Sequence, residues 1–81
     1  MSRRVLVTGA SSGIGKGTVE VLCAAGYTVH AVARRENHLH TLAERTGCTT
    51  HATDVTDSEA VTTLIALVRP EIVICLSLIH I

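Results

Sequence analysis

The chain has 81 residues, 47% of them hydrophobic and 17% charged, and its Lys+Arg count of 7 equals its Asp+Glu count of 7. That length allows one small domain, and a zero formal charge supplies no bulk attraction to nucleic acid or to an anionic membrane. A lone aromatic residue, Tyr27, excludes the base-stacking platforms of single-strand binders.

Behind Arg3 and Arg4 the apolar run 5–7 (Val-Leu-Val) stops at Thr8 and Gly9. It is too short for a secretory core and fits a strand buried on both faces. From Ile14 the apolar positions become Ile14, Thr18, Val21, Leu22 and Ala25, the stripe of a helix ended by Gly26. Residues 29–33 form a second strand, rich in small and β-branched side chains. Leu39, Leu42 and Ala43 mark the inner face of a second helix, closed by Gly47, and 49–53 is a weaker third strand. The segment Thr56-Asp57-Ser58-Glu59 reads as a capping box, with Thr56 or Asp57 as the cap. It opens a third helix whose stripe is Val61, Leu64, Ile65 and Val68. Pro70 stops that helix, and 72–74 begins a fourth strand. The order is β-α-β-α-β-α-β, and right-handed crossovers turn it into a parallel sheet with helices on both sides. The expected fold class is therefore α/β, the first (βα)3β half of a Rossmann-type sheet.

Three cysteines, Cys23, Cys48 and Cys75, are an odd set without a C-x-x-C pair, which points to a reducing compartment. The uncharged apolar stretch 72–81 is too short to span a bilayer. A soluble, cytoplasmic protein with no nucleic-acid or membrane partner is the expectation.

The segment from Thr8 to Gly15, Thr-Gly-Ala-Ser-Ser-Gly-Ile-Gly, joins the first strand to the first helix. Such a junction is an anion site, because unpaired amides and the helix dipole point the same way. Gly9 permits the turn, Gly13 lets a pyrophosphate approach the backbone, and Gly15 lets helix and strand pack closely. A nucleoside-triphosphate P-loop is the nearest competitor, since Gly15-Lys16 is followed by Thr18. It fails on spacing: five residues rather than four separate Gly9 from Gly15, and Gly17 stands where the magnesium hydroxyl should be. Lys16 is then a solvated helix residue.

T-G-x-x-x-G-x-G in this form resembles the cofactor signature of the classical short-chain dehydrogenase/reductase family. The extended relatives that act on nucleotide sugars show T-G-x-x-G-x-x-G, which is not matched here. Asp54-Val55 after the third strand resembles the family's adenine-contacting Asp-Val, so the resemblance runs from Arg4 to about Cys75. It implies cofactor contacts from Gly9, Ser11, Ser12, Gly13, Ile14, Gly15, Asp54 and Val55.

Aligned on that family pattern, the position whose acid binds a ribose 2′-hydroxyl is Ala33, and Arg34-Arg35 follows. A guanidinium suits a 2′-phosphate through charge-assisted bonds. NADP is therefore the expected cofactor, with Arg34 and then Arg35 on its phosphate. The competing reading makes both arginines solvated surface charge. Glu36 would favour NAD only if the strand ended two residues later.

His38, His40, Cys48 and His51 superficially offer a metal site. Two positions along a helix is a rotation of about 200°, so His38 and His40 diverge, and no metal is expected. His30 reads as a strand histidine and Cys23 as a small hydrophobe beside the helical stripe.

Family members continue after the fourth strand with Asn-Asn-Ala-Gly, then a catalytic Ser and a Tyr-x-x-x-Lys pair. This sequence has one asparagine, Asn37, and Ala31 stands four residues after Tyr27. No catalytic residue is expected within it. Residues 76–81 are also what CTG TCT CTT ATA CAC ATC encodes, a transposon end used in sequencing libraries. The expectation is an N-terminal half-domain over 1–75 and a non-native tail over 76–81. The resemblance implies that the longer protein is an NADP(H)-dependent oxidoreductase of a small carbonyl or alcohol substrate, able to assemble as a homo-oligomer. A non-catalytic dinucleotide-sensing module would share every residue named, and a third reading is that the 81 residues are no functional unit.

Overall fold

The computed structural model describes residues 3–10, 13–34 and 36–75, with the backbone alone for 36–38. Among the described residues four strands, β1 (Arg4–Thr8), β2 (Thr28–Ala33), β3 (Thr49–Ala52) and β4 (Ile72–Cys75), alternate with three helices. The helices are α1 (Gly13–Ala24), α2 (Glu36–Thr46) and α3 (Ser58–Val68). All strand pairs are parallel, in the order β3-β2-β1-β4. This is the Rossmann-like α/β sheet that the alternating pattern predicts. The expected tail, 76–81, lies outside the described residues.

The two central strands, β1 and β2, are buried on both faces, as a parallel sheet requires. Val5 and Val7 of β1 join Val29, Ala31 and Ala33 of β2 against Val19 of α1 and Leu39 and Leu42 of α2. Leu6 and Val32 point the other way, onto Leu64 and Val68 of α3. Helices α1 and α2 therefore cover one face and α3 covers the other. The reason is topological: β1 to β3 progress in one direction, and the chain then crosses back past β1 to lay down β4.

The helix ends follow their local chemistry. Gly26 donates to the Cys23 carbonyl and Tyr27 to that of Leu22, a Schellman ending whose flanking pair, Leu22 and Tyr27, packs on the core. Asp57 caps α3, its carboxylate accepting from the amides of Glu59 and Ala60. The reciprocal capping box is not formed, because Thr56 turns back to Asp54 instead. Arg69 ends α3 in the left-handed region at φ 52° and ψ 57°, its amide donating to the Ile65 carbonyl. A side chain there costs about 1–2 kcal/mol relative to glycine's freedom. Arg69→Gly should therefore raise stability by about 1 kcal/mol, read as a rise in the urea midpoint of the folded protein; an unchanged or lower midpoint would contradict it.

Two helical stripes need correction: in α3 only Leu64 and Val68 are buried while Ile65 is 41% exposed, and in α1 the shift is larger. Ile14 and Val21 do not face the core; they are 75% and 68% exposed, and the inward residues of α1 are Gly15 and Val19. The phase of this helix is set by Gly15, which must lie against the backbone of the preceding loop.

Candidate dinucleotide-binding site

Parallel strands all end on the same edge of a sheet, and that edge gathers the residues singled out from the sequence. Thr8 ends β1 and leads into Gly9, whose φ of 73° suits glycine. Ala33 ends β2 and leads into Arg34, while Ala52 ends β3 shortly before Asp54. Two backbone bonds tie these ends together. The Ala10 amide donates to the Val32 carbonyl at 3.1 Å, and the Thr53 amide to the Ala33 carbonyl at 2.9 Å. Strand order reverses at β1, between β2 and β4. Ligands of open α/β sheets bind in the crevice at such a reversal, beyond the carboxyl ends of the strands.

The glycines divide the work. A Cβ on Gly15 would lie 2.2 Å from the Gly9 carbonyl oxygen and 2.8 Å from Ala10 Cα, so only glycine lets α1 come this close to β1. A Cβ on Gly13 would meet none of the described residues within 4 Å. Among the described residues, open space therefore stands over the first residue of α1, and no acidic side chain occupies its first turn. The positive end of that helix dipole is not neutralised by a carboxylate there. By contrast α3 has Asp57 on its end amides and Glu59 in its first turn, which closes that terminus to an anion.

Arg34 and Asp54 meet across the ends of β2 and β3, with Nη2 3.5 Å from Oδ1. Both are largely exposed, and a long surface pair of this kind constrains its partners weakly. Asp54 is held more firmly by Thr56, whose hydroxyl and amide donate to the same oxygen at 2.7 and 2.9 Å. Those bonds, followed by the Arg34 charge, keep the carboxyl below its ordinary range. Asp54 thus also shapes the turn into α3, with the Asp57 amide on its carbonyl. Val55 packs partly on Leu6, Val32, Leu64 and Val68. Ile14 is exposed beside the loop. Ser11, Ser12 and Arg35 lie outside the described residues.

A family model described as short chain dehydrogenase matches residues 3–75. The chain belongs to the short-chain dehydrogenase/reductase family. It is 51% identical over 59 residues to an uncharacterized oxidoreductase of Mycobacterium tuberculosis, covering 73% of this chain and 24% of that protein. It is 45% identical over 69 residues to the L-xylulose reductase of Homo sapiens, covering 84% of this chain and 28% of that protein. A solved short-chain dehydrogenase from Streptomyces avermitilis superposes with a TM-score of 0.76 at 38% identity, covering 84% of this chain and 26% of that one. The chain thus spans about a quarter of the length of the curated relatives it matches.

Within this short-chain dehydrogenase fold, other polar residues form local pairs. Of the residues that superficially offered a metal set, His40 pairs with Glu44 on α2 at 3.1 Å, Cys48 is buried, and the His38 side chain lies outside the described residues. His51 instead meets His30, a pairing that sequence reasoning missed. Among the described residues, no group of three or more His, Cys, Asp or Glu could hold a metal, and no helix is long and apolar enough to cross a membrane.

Proposed function

We propose that this chain is the nucleotide-binding part of an NADP(H)-dependent oxidoreductase acting on a small carbonyl or alcohol substrate. The observation that carries the proposal is the end of β2, where Ala33 stands in the acid's place and Arg34 follows beside the glycine loop. The open space at Gly13 fits a pyrophosphate cradled by loop amides and the start of α1. Arg34 would hold the 2′-phosphate, with Arg35 next to it. Its weak tie to Asp54 leaves the guanidinium able to turn to a dianion. Ile14 and Ser11 and Ser12 would border the phosphates, and Asp54 and Val55 the adenine. Bound NADP(H) supplies or accepts the hydride. The family's proton donor, a Tyr-x-x-x-Lys pair with a Ser, is proposed to lie in a longer protein that contains this chain. The named activity of the L-xylulose relative favours a polyol or sugar-like carbonyl among the substrates.

The experiment is to recover the reading frame beyond codon 75, express the complete protein in the cytoplasm, and assay NADP-linked reduction across a carbonyl panel. Turnover with a downstream Ser and Tyr-x-x-x-Lys supports the enzyme. NADP binding without those residues and without turnover would identify a dinucleotide-sensing module instead.

The 81 residues made alone should be inactive and melt without a cooperative transition. Among the described residues β4 pairs only with β1, and Val73 and Leu67 stand 48% and 74% exposed. A shallow apolar groove of about 460 Å³ lined by Ile14, Gly17, Thr18, Val21 and Leu22 lies open on α1. For a scaffold this small, apolar gain and chain entropy nearly cancel, leaving roughly zero net stability. A cooperative melt, or turnover above a no-protein control, would contradict the expectation.

A further inference from the structure

The sheet face under α3 carries a pair of side chains that the glycine loop does not use. In the strand register Leu6 lies opposite His30, and Val32 lies opposite His51. Alternate residues of a strand share a face, so both imidazoles stand on the Leu6–Val32 side, one on β2 and one on the edge strand β3. His30 Nδ1 lies 3.0 Å from His51 Nε2, with ring centroids 5.3 Å apart and ring planes at 21°. Both residues are half-buried. Burial holds both imidazoles below their ordinary value, and for His30 the neighbouring His51 and the Arg4 charge act in the same direction. At neutral pH the rings are therefore uncharged, and one N–H is shared between two facing nitrogens.

We propose that His30 and His51 form a bidentate site for a late divalent transition-metal ion, bridging β2 and β3. Metal–nitrogen bonds of about 2.0–2.1 Å place two imidazole nitrogens about 2.9 Å apart at a right angle and about 3.3 Å apart at a tetrahedral one. The observed 3.0 Å lies between these values, so the separation of the two nitrogens already suits one shared ion. At these N···N and centroid separations the two nitrogens face each other head-on, so each ring must turn by about 35–45° to aim its lone pair at one ion lying more than about 1 Å off the line between them. The ligand atoms are His30 Nδ1 and His51 Nε2. The ring that donates in the metal-free pair moves its proton to its outer nitrogen, so neutral rings bind without net proton release. Water completes the coordination. Two imidazoles and no thiolate favour Cu²⁺ over Ni²⁺ and Zn²⁺. Arg4 opposes the cation, but its Nε donates to the Val68 and Arg69 carbonyls at 3.1 and 3.0 Å, which anchors it at the end of α3. Occupancy would clip β3, an edge strand held only by β2 among the described residues, to the sheet.

The test titrates Cu²⁺ into the complete protein with ¹⁵N-labelled imidazoles and follows paramagnetic broadening of each assigned histidine by NMR. His30 and His51 should broaden together below one equivalent, ahead of His38 and His40. His51→Gln should raise the Cu²⁺ needed to broaden His30 by roughly tenfold or more, through loss of the second, linked ligand. His30→Gln should do the same to His51. Simultaneous broadening of all the imidazoles, broadening of His40 first, or an unchanged His30 response in His51→Gln would each overturn the site.

Discussion

Gly13→Val in the complete protein should abolish dinucleotide binding while leaving the fold intact. Among the described residues a Cβ at this position meets nothing within 4 Å, so they accommodate the new side chain. Replacing glycine in a helix also removes some of its entropic cost. What the isopropyl group does occupy is the space in which a pyrophosphate would approach the backbone. Losing two charge-assisted amide bonds, each worth about 1.5–3 kcal/mol, weakens binding by roughly a hundredfold or more. Calorimetric titration with circular dichroism separates the two effects. Undiminished affinity with normal helicity would move the phosphate site away from this loop.

Gly15→Ala should damage the fold itself. The methyl carbon would stand 2.2 Å from the Gly9 carbonyl oxygen and 2.9 Å from the Gly9 carbonyl carbon, and neither can swing away as a flexible side chain could. Helix α1 must back off from β1, which pulls Val19 from the core formed with Val5 and Val7. Overpacking of this kind costs about 1–3 kcal/mol and often more. Gly17→Ala is the matched control, two residues along the same helix and with nothing within 4 Å. It should stabilise by about 0.5–1 kcal/mol through helix propensity. Thermal melts of the complete protein should therefore move in opposite directions; a harmless Gly15→Ala would contradict the close approach.

The strands and helices were legible because a parallel sheet leaves a plain trace: short β-branched runs alternating with helical stripes, punctuated by Gly26, Gly47 and Pro70. The glycine loop was legible for the same reason, since its spacing answers a steric demand that only glycine meets. The face of α1 was not. Ile14 and Val21 look like core residues by hydropathy, yet the closest contact of the helix is made by Gly15, a residue with no hydropathy to register. Pairings across strands were hidden as well. Arg34 meets Asp54, and His30 meets His51, through a β2–β3 register that no local pattern encodes. The helix cap fell between the two readings: Asp57 takes it, because Thr56 is already bound to Asp54.

The most direct test of the cofactor assignment is a paired titration of NADPH and NADH into the complete protein and its Arg34→Ala variant. Ala33 cannot accept the ribose hydroxyl bonds of NADH, and Arg34 can neutralise a 2′-phosphate. NADPH should therefore bind about tenfold or more tightly than NADH, as one charge-assisted contact of about 1.5–3 kcal/mol requires, and Arg34→Ala should erase most of that difference. Equal affinities for the two cofactors in the unaltered protein, or a preference untouched by Arg34→Ala, would contradict the assignment.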